Sequence, residues 1–324
     1  MSPHDAAATL DLAAIEAAWE RIHGLVTRTP LVRLLVDEAP AQIFLKLECL
    51  QPTGSFKVRG AGNSMALISS AARARGVFTC SAGNMAQALA WHSRRLGVPC
   101  TTIVPDTAPD TKLAAIRRFG ATIVQRPWQE VWEIGMSRRY APLDGWTFVH
   151  PFADVTMMAG NGTAGLEILE DLPEVDAVVI PFGGGGLAAG IATAIKARRP
   201  EVPVYACEPE TAAPLAASFA QGTAAEVKRI PSFVDGIGAS SVLPEMWSRV
   251  RSLLAGSLVA PLGDIAAAVK LLVERARVVA EGAGATGVAA ALAGKAGRGR
   301  VVCVVSGGNL DTVALGKILG GGVP

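Results

Sequence analysis

Apolar residues recur at helical spacing over residues 12–22, where Leu12, Ile15, Trp19 and Ile22 share one side, and the run closes at Gly24 before Thr29-Pro30-Leu31. That pattern predicts an N-terminal helix followed by an extended arm. Residues 42–48 alternate apolar and polar, as a half-buried strand does. From Val77 the two periods alternate: strand 77–80, turn 81–84, helix 85–96, strand 100–104, helix 111–119, strand 121–124 and helix 129–139. Strand and helix succeeding one another at this spacing predict crossover units and a parallel sheet. The alternation breaks around residues 150–154. It resumes with helix 159–170, strand 177–180, loop 183–186, helix 187–198, strand 202–207, helix 209–221, a loop-rich region to residue 244, helix 265–280 and strand 301–305. The expected fold class is α/β, with two open, twisted, mostly parallel sheets flanked by helices.

Composition narrows the class. With 324 residues, 50% hydrophobic and 18% charged, the chain is long enough for two cores and too apolar for a disordered one. The 30 basic and 28 acidic residues are interspersed and give a net charge of +2, so no basic stripe points to nucleic acid. The five cysteines are scattered and form no CxxC pair, which argues for reduced thiols in a cytoplasm and against a disulfide scaffold or zinc site. The start, including His4 and Asp5, lacks the cationic and apolar segments of a signal peptide. The uncharged run 177–195 is interrupted by Pro181 and four glycines, so no membrane span is expected.

Several stretches carry candidate chemistry. Gly183, Gly184, Gly185 and Gly186 lie between a buried strand and a helix, where successive backbone N–H groups can converge on an anion with the helix dipole behind them. The loop lacks the Lys-Ser/Thr ending of a nucleotide P-loop and the spacing of a dinucleotide fingerprint, so a monophosphate fits better. Lys57 follows the turn at Pro52 and Gly54 and stands between Phe56 and Val58 at a predicted helix start. Desolvation and the helix dipole there lower an amine's pKa, as a Schiff-base nucleophile requires, while a surface lysine with a snorkelling stem is the alternative. Ser81-Ala82-Gly83-Asn84 is a second strand-to-helix corner, either an anion subsite or a helix cap. Ser306-Gly307-Gly308-Asn309 follows an apolar strand at the end where ligands of open sheets gather. Asp235 and Glu281 each stand beside glycines in what read as ordinary loops. The four histidines show no ligand spacing.

In this order the segments resemble the fold type II family of pyridoxal-phosphate enzymes, the tryptophan synthase β-like fold, and within it the serine/threonine dehydratase and serine racemase branch. The resemblance covers nearly the whole chain. It rests on Lys46-Leu47-Glu48, Gly54-Ser55-Phe56-Lys57-Val58-Arg59-Gly60-Ala61, Ser81 to Gln87, His150-Pro151-Phe152, Ala159 to Thr163, the four-glycine loop, Asp235-Gly236 and Ser306 to Asn309. It implies pyridoxal 5'-phosphate carried by Lys57, with Phe56 beside its ring, Asn84 on its phenolic oxygen, Gly183 to Gly186 with Leu187 N–H on its phosphate, and Glu281 among the cofactor-binding residues. Ser306 would face the ring nitrogen. A hydroxyl there moderates the electron sink, which suits β-elimination over transamination. The substrate carboxylate would lie on Ser81, Ala82, Asn84, Met85 and Gln87. Residues 1–66 and 154–324 would form the larger, cofactor-binding domain and 67–153 a smaller domain closing over a small-molecule amino acid. A homodimer is the assembly usual in this branch. With fifteen residues after Asn309, feedback through a regulatory domain is not expected.

The implied activity is an ammonia-lyase converting a β-hydroxy amino acid to a 2-oxo acid and ammonia. Ala82 stands where racemases of the branch carry a second acid/base serine, Met85 where a histidine is usual, and Ala239 where some relatives have serine. These departures imply a more apolar pocket for a substrate bulkier than serine, with Trp128 or Trp132 as walls. Pro214 replaces the aspartate of a divalent-cation site whose other positions align with Glu208 and Ala212, so no metal is expected. Racemisation, β-replacement and a non-catalytic cofactor-binding role stand as alternatives.

Overall fold

The computed structural model describes residues 9–324; His4 lies outside them. Among the described residues ten strands are present: β1 (Leu31–Arg33), β2 (Gln42–Lys46), β3 (Val77–Cys80), β4 (Cys100–Pro105), β5 (Thr122–Arg126), β6 (Thr147–Phe148), β7 (Ala177–Pro181), β8 (Val204–Pro209), β9 (Gly256–Ala260) and β10 (Arg300–Val304). They form a six-stranded sheet of order β1-β2-β10-β7-β8-β9 and a four-stranded sheet of order β5-β4-β3-β6. Every pairing is parallel except β1 with β2. Both faces of the larger sheet are covered, because alternate residues of one strand enter different cores. Val178 and Ile180 pack with helices Leu12–Ile22, Val155–Asp171 and Gly186–Arg198, whereas Ala177 and Val179 pack with helices Leu262–Leu271 and Gly282–Leu292. Strands buried on both faces read as continuous apolar runs, which is what β7 and β10 are.

The α/β class and the two parallel-rich sheets agree with the periodicity, and the differences have local causes. β1 and β6 have three and two residues, too short for a period to show, and β9 is a partly exposed edge strand. The helix expected over 209–221 begins at Pro214, because Pro209 still pairs with Ala260 at the end of β8. Proline is tolerated in that first turn, where its missing N–H has no partner to lose. The helix expected over 265–280 spans Leu262–Leu271 and ends in a π-helical turn, Leu272–Ala276, stopped by Arg277 at φ 60°. The stretch from Glu281, expected as loop, is the start of helix Gly282–Leu292. Its glycines serve contact, since a Cβ on Gly284 would stand 2.6 Å from the Gly307 carbonyl oxygen. No helix of the described residues is long and apolar enough to cross a membrane.

Helix Lys57–Leu67 lies between the two halves. Val58, Ala61 and Met65 enter the core of the smaller sheet with Met85 and Leu89. On its other side Arg59, fully buried, donates to both oxygens of Glu48 and of Glu167 at 2.7–2.8 Å. Lys46 reaches Glu167 at 2.5 Å and the Thr29 carbonyl at 2.6 Å. Two cations thus meet two carboxylates away from water, the arrangement under which buried charge is tolerated. Burial alone would raise the Glu48 carboxyl, but Arg59 holds it below the usual range. Lys57 starts two residues from this anchor.

Candidate active site

The stretch 51–57 is pinned to the end of β10. Phe56 N–H donates to Ser306 O at 3.0 Å, Gly308 N–H donates to Gly54 O at 2.9 Å, and Ser55 bridges Gly307. Lys57 and Ser306, far apart in sequence, therefore face one cavity of about 730 Å³. Every site residue read from the sequence lines that cavity: Phe56 and Lys57; Ser81, Ala82, Asn84, Met85 and Gln87; Gly183 to Leu187; Glu281; and Ser306. Trp128 lines it too, while Trp132 lies outside the lining. Ala239 is also at the wall, as are Ala82 and Met85, although the Met85 side chain is buried in the core of the smaller sheet.

Lys57 is the first residue of its helix, and no side chain caps that end. Its Nζ donates to the Pro151 carbonyl and lies 5.0 Å from the Phe56 ring centroid. Burial lowers the ammonium pKa from 10.5 to about 8, against a smaller opposing pull from Glu281. His150 fixes the turn that supplies the Pro151 carbonyl. Its Nδ1 accepts from the N–H groups of Phe152 at 3.2 Å and Ala153 at 2.9 Å. An acceptor at Nδ1 requires the neutral ring, and burial with Arg138 and Lys57 nearby pushes its pKa down to about 3.

Opposite Lys57, the amides of Asn84 and Asn309 and the carboxyl of Glu281 form a chain. Asn309 Nδ2 donates to Asn84 Oδ1, and Asn84 Nδ2 donates to Glu281 Oε1, both at 2.8 Å. Burial, then the charge of Asp235, raises Glu281 to about 7. The glycine loop follows β7 and ends at Gly185, whose φ of 87° belongs to the left-handed region and caps helix Gly186–Arg198 without any side chain. Gly184 packs face-on against Phe152, where a Cβ would come within 2.3 Å of the ring. The loop's N–H groups and the helix start can therefore receive an anion without a Cβ in the way.

Sequence reasoning left Asn309, Pro151 and His150 without roles, and it missed Lys112 and Arg229 at the cavity wall. Lys112 and Arg229 lie in no motif, so spacing held no signal for them. At the aligned cation position, both Glu208 oxygens are taken by Leu215 N–H, Ala216 N–H and Ser257 Oγ at 2.6–2.9 Å. Among the described residues, no group of three His, Cys, Asp or Glu is placed to hold a metal ion.

A primary amine with a depressed pKa, a backbone anion cradle and a buried hydroxyl on one cavity form a donor set suited to a phosphorylated aromatic aldehyde. The residues fit that group. The sequence model of the family described as "Pyridoxal-phosphate dependent enzyme" matches residues 22–307. A protein named L-threonine ammonia-lyase from Thermotoga maritima is 39% identical over 319 residues, covering 97% of this chain and 79% of that one. The structure of maize serine racemase superposes with a TM-score of 0.87 at 32% identity, over 95% of this chain and 96% of that one. A processed threonine deaminase isoform from Solanum lycopersicum gives a TM-score of 0.87 at 31% identity, over 96% and 86% of the two chains. The donor set, the two-sheet fold and these likenesses agree, and the chain belongs to the pyridoxal-phosphate-dependent enzyme family, fold type II.

Proposed function

We propose that this enzyme is an ammonia-lyase that converts a β-hydroxy amino acid of the threonine type to a 2-oxo acid and ammonia by α,β-elimination. The observation that carries the reading is Lys57: an amine of depressed pKa on the same cavity as the glycine loop, Asn84 and Ser306. Relatives named for threonine ammonia-lyase and threonine deaminase support the same substrate class. Bound pyridoxal phosphate supplies an electron sink conjugated to the substrate's Cα. Lys57 Nζ would hold the cofactor, and the same amine, whose pKa burial lowers to about 8, would serve as the base at the substrate Cα proton. The N–H groups of Gly183 to Gly186 and Leu187 would hold the phosphate, Asn84 would serve the ring oxygen and Ser306 Oγ the ring nitrogen, while Glu281 orients Asn84 by accepting from its Nδ2. Ser81, Asn84, Gln87 and the backbone beside Ala82 and Met85 hold the substrate carboxylate at the start of helix Asn84–Leu96.

Ala82 offers no second acid/base on the opposite face, which disfavours racemisation. Residues 67–153 form the smaller domain, and its approach to the rest excludes water from the cavity. The five free cysteines accord with a cytoplasmic setting, and a homodimer is the proposed assembly. The test is direct. Purified protein should show the visible absorption of lysine-bound cofactor and release 2-oxo acid and ammonia from threonine or a bulkier hydroxy amino acid. Lys57→Ala should lose both colour and product; a colourless wild type after addition of pyridoxal phosphate overturns the proposal.

A further inference from the structure

Among the described residues five charged side chains line the cavity: Lys57, Lys112, Arg229, Asp235 and Glu281. Four of them have partners. Lys112 pairs with Asp235 at 2.5 Å, Lys57 Nζ donates to Pro151 O, and Glu281 accepts from Asn84. Arg229 makes no hydrogen bond or ion pair among the described residues. It is exposed and stands beside Gly238, where a Cβ would lie 3.3 Å from its Nε, and Ala239 lines the same cavity. An unpaired guanidinium is a planar donor fork that suits a carboxylate bidentately. Two anions already have donors in the proposed chemistry: the cofactor phosphate has the glycine loop, and the substrate α-carboxylate has the start of helix Asn84–Leu96. A third anion is left for Arg229.

We propose that Arg229 is a specificity-determining residue that holds a side-chain carboxylate, making a β-hydroxy dicarboxylic amino acid such as 3-hydroxyaspartate the preferred substrate. This rests on the ammonia-lyase reading. For that substrate the Cα–H and Cβ–O bonds break with loss of water, and hydrolysis of the resulting imine takes one water up and releases ammonia. The sum is one substrate to one dicarboxylic 2-oxo acid and one ammonia, with no oxidant or reductant. The exposure of Arg229 lets a polar, hydrated side chain reach it, and Trp128 and Val131 also line the cavity.

The experiment compares kcat/KM for 3-hydroxyaspartate and for threonine on the holoenzyme, on Arg229→Gln and on Arg229→Lys. The wild type should prefer the dicarboxylate. Arg229→Gln should reduce the ratio of the two values roughly 10- to 100-fold, through KM, the effect of losing a charged hydrogen bond. Arg229→Lys should recover part of the ratio. A ratio within about twofold of wild type in Arg229→Gln, with threonine still turned over, overturns the inference and leaves the ammonia-lyase reading standing. Equal loss on both substrates with weaker retention of pyridoxal phosphate by the variant also overturns it, assigning Arg229 to the phosphate. If the wild type turns over neither substrate, the ammonia-lyase reading fails. The inference is then decided by binding of L-aspartate against L-alanine, read from the cofactor absorbance: Arg229→Gln should weaken aspartate selectively, and equal weakening of both refutes it.

Discussion

At the residue scale the site holds an acid and a base with shifted proton affinities facing each other across a cavity. Glu281 lies between Asn84 and the charge of Asp235, with burial raising its pKa from 4.5 to about 7. A carboxyl whose folded pKa is raised binds its proton more tightly in the native state, so its penalty is absent below about pH 4.5 and fully present above about pH 7. Glu281→Gln keeps an oxygen for Asn84 Nδ2 and removes the charge. The cofactor-free protein carrying it should be more stable by about 1–3 kcal/mol above pH 7, with the gain vanishing near pH 4. Urea titrations at both pH values measure this, and an equal gain at both would mean that packing, not charge, is responsible. His150 illustrates the same economy of burial: held neutral, it orders the turn whose Pro151 carbonyl receives Lys57.

At the element scale the position of helix Lys57–Leu67 decides where the Lys57 amine points. Its anchor is the buried set Arg59, Glu48, Glu167 and Lys46, which balances two positive charges against two negative. Removing one member leaves a buried charge uncompensated. Glu167→Gln should cost about 3–5 kcal/mol, whereas the double variant Lys46→Met, Glu167→Gln restores neutrality and should recover part of that loss. Denaturant unfolding of the single and double variants reads the difference, and simple additivity of the two substitutions would show that charge balance is not what the network supplies. The glycine loop is an element of the opposite kind, held by Phe152 packing and one left-handed residue with no charged side chain of its own.

At the scale of the whole molecule the two sheets are joined across the cavity by contacts of unequal worth. Asn84, from the helix after β3, meets Glu281 and Asn309 from the far side, and Lys112, from helix Asp110–Arg118, meets Asp235. The Lys112 pair is partly exposed, with side chains 33% and 50% accessible, and exposed pairs contribute little after screening and side-chain entropy. Lys112→Ala should therefore lower global stability by less than about 1 kcal/mol, measurable as a small shift in the urea midpoint. A larger loss would make the pair a principal tie between the two sheets.

The sequence by itself determined the alternation of strand and helix, the four-glycine turn, the lysine at a helix start and the family to which they belong, because each depends on local period, backbone freedom or contiguous motif. It was least legible where packing overrode local pattern: the two- and three-residue strands, the helix from Gly282 whose glycines admit the Gly307 backbone, and the partners of Arg59. It could not show that Lys57 is half-buried and not a snorkelling surface residue. Only the tertiary structure decided that, because the Pro151 carbonyl that receives Lys57 Nζ, the glycine loop and Ser306 are brought around it from distant parts of the chain. The same long-range folding placed Lys112 against Asp235 and left Arg229 as the unpaired charge lining the cavity, a difference that no spacing along the chain records.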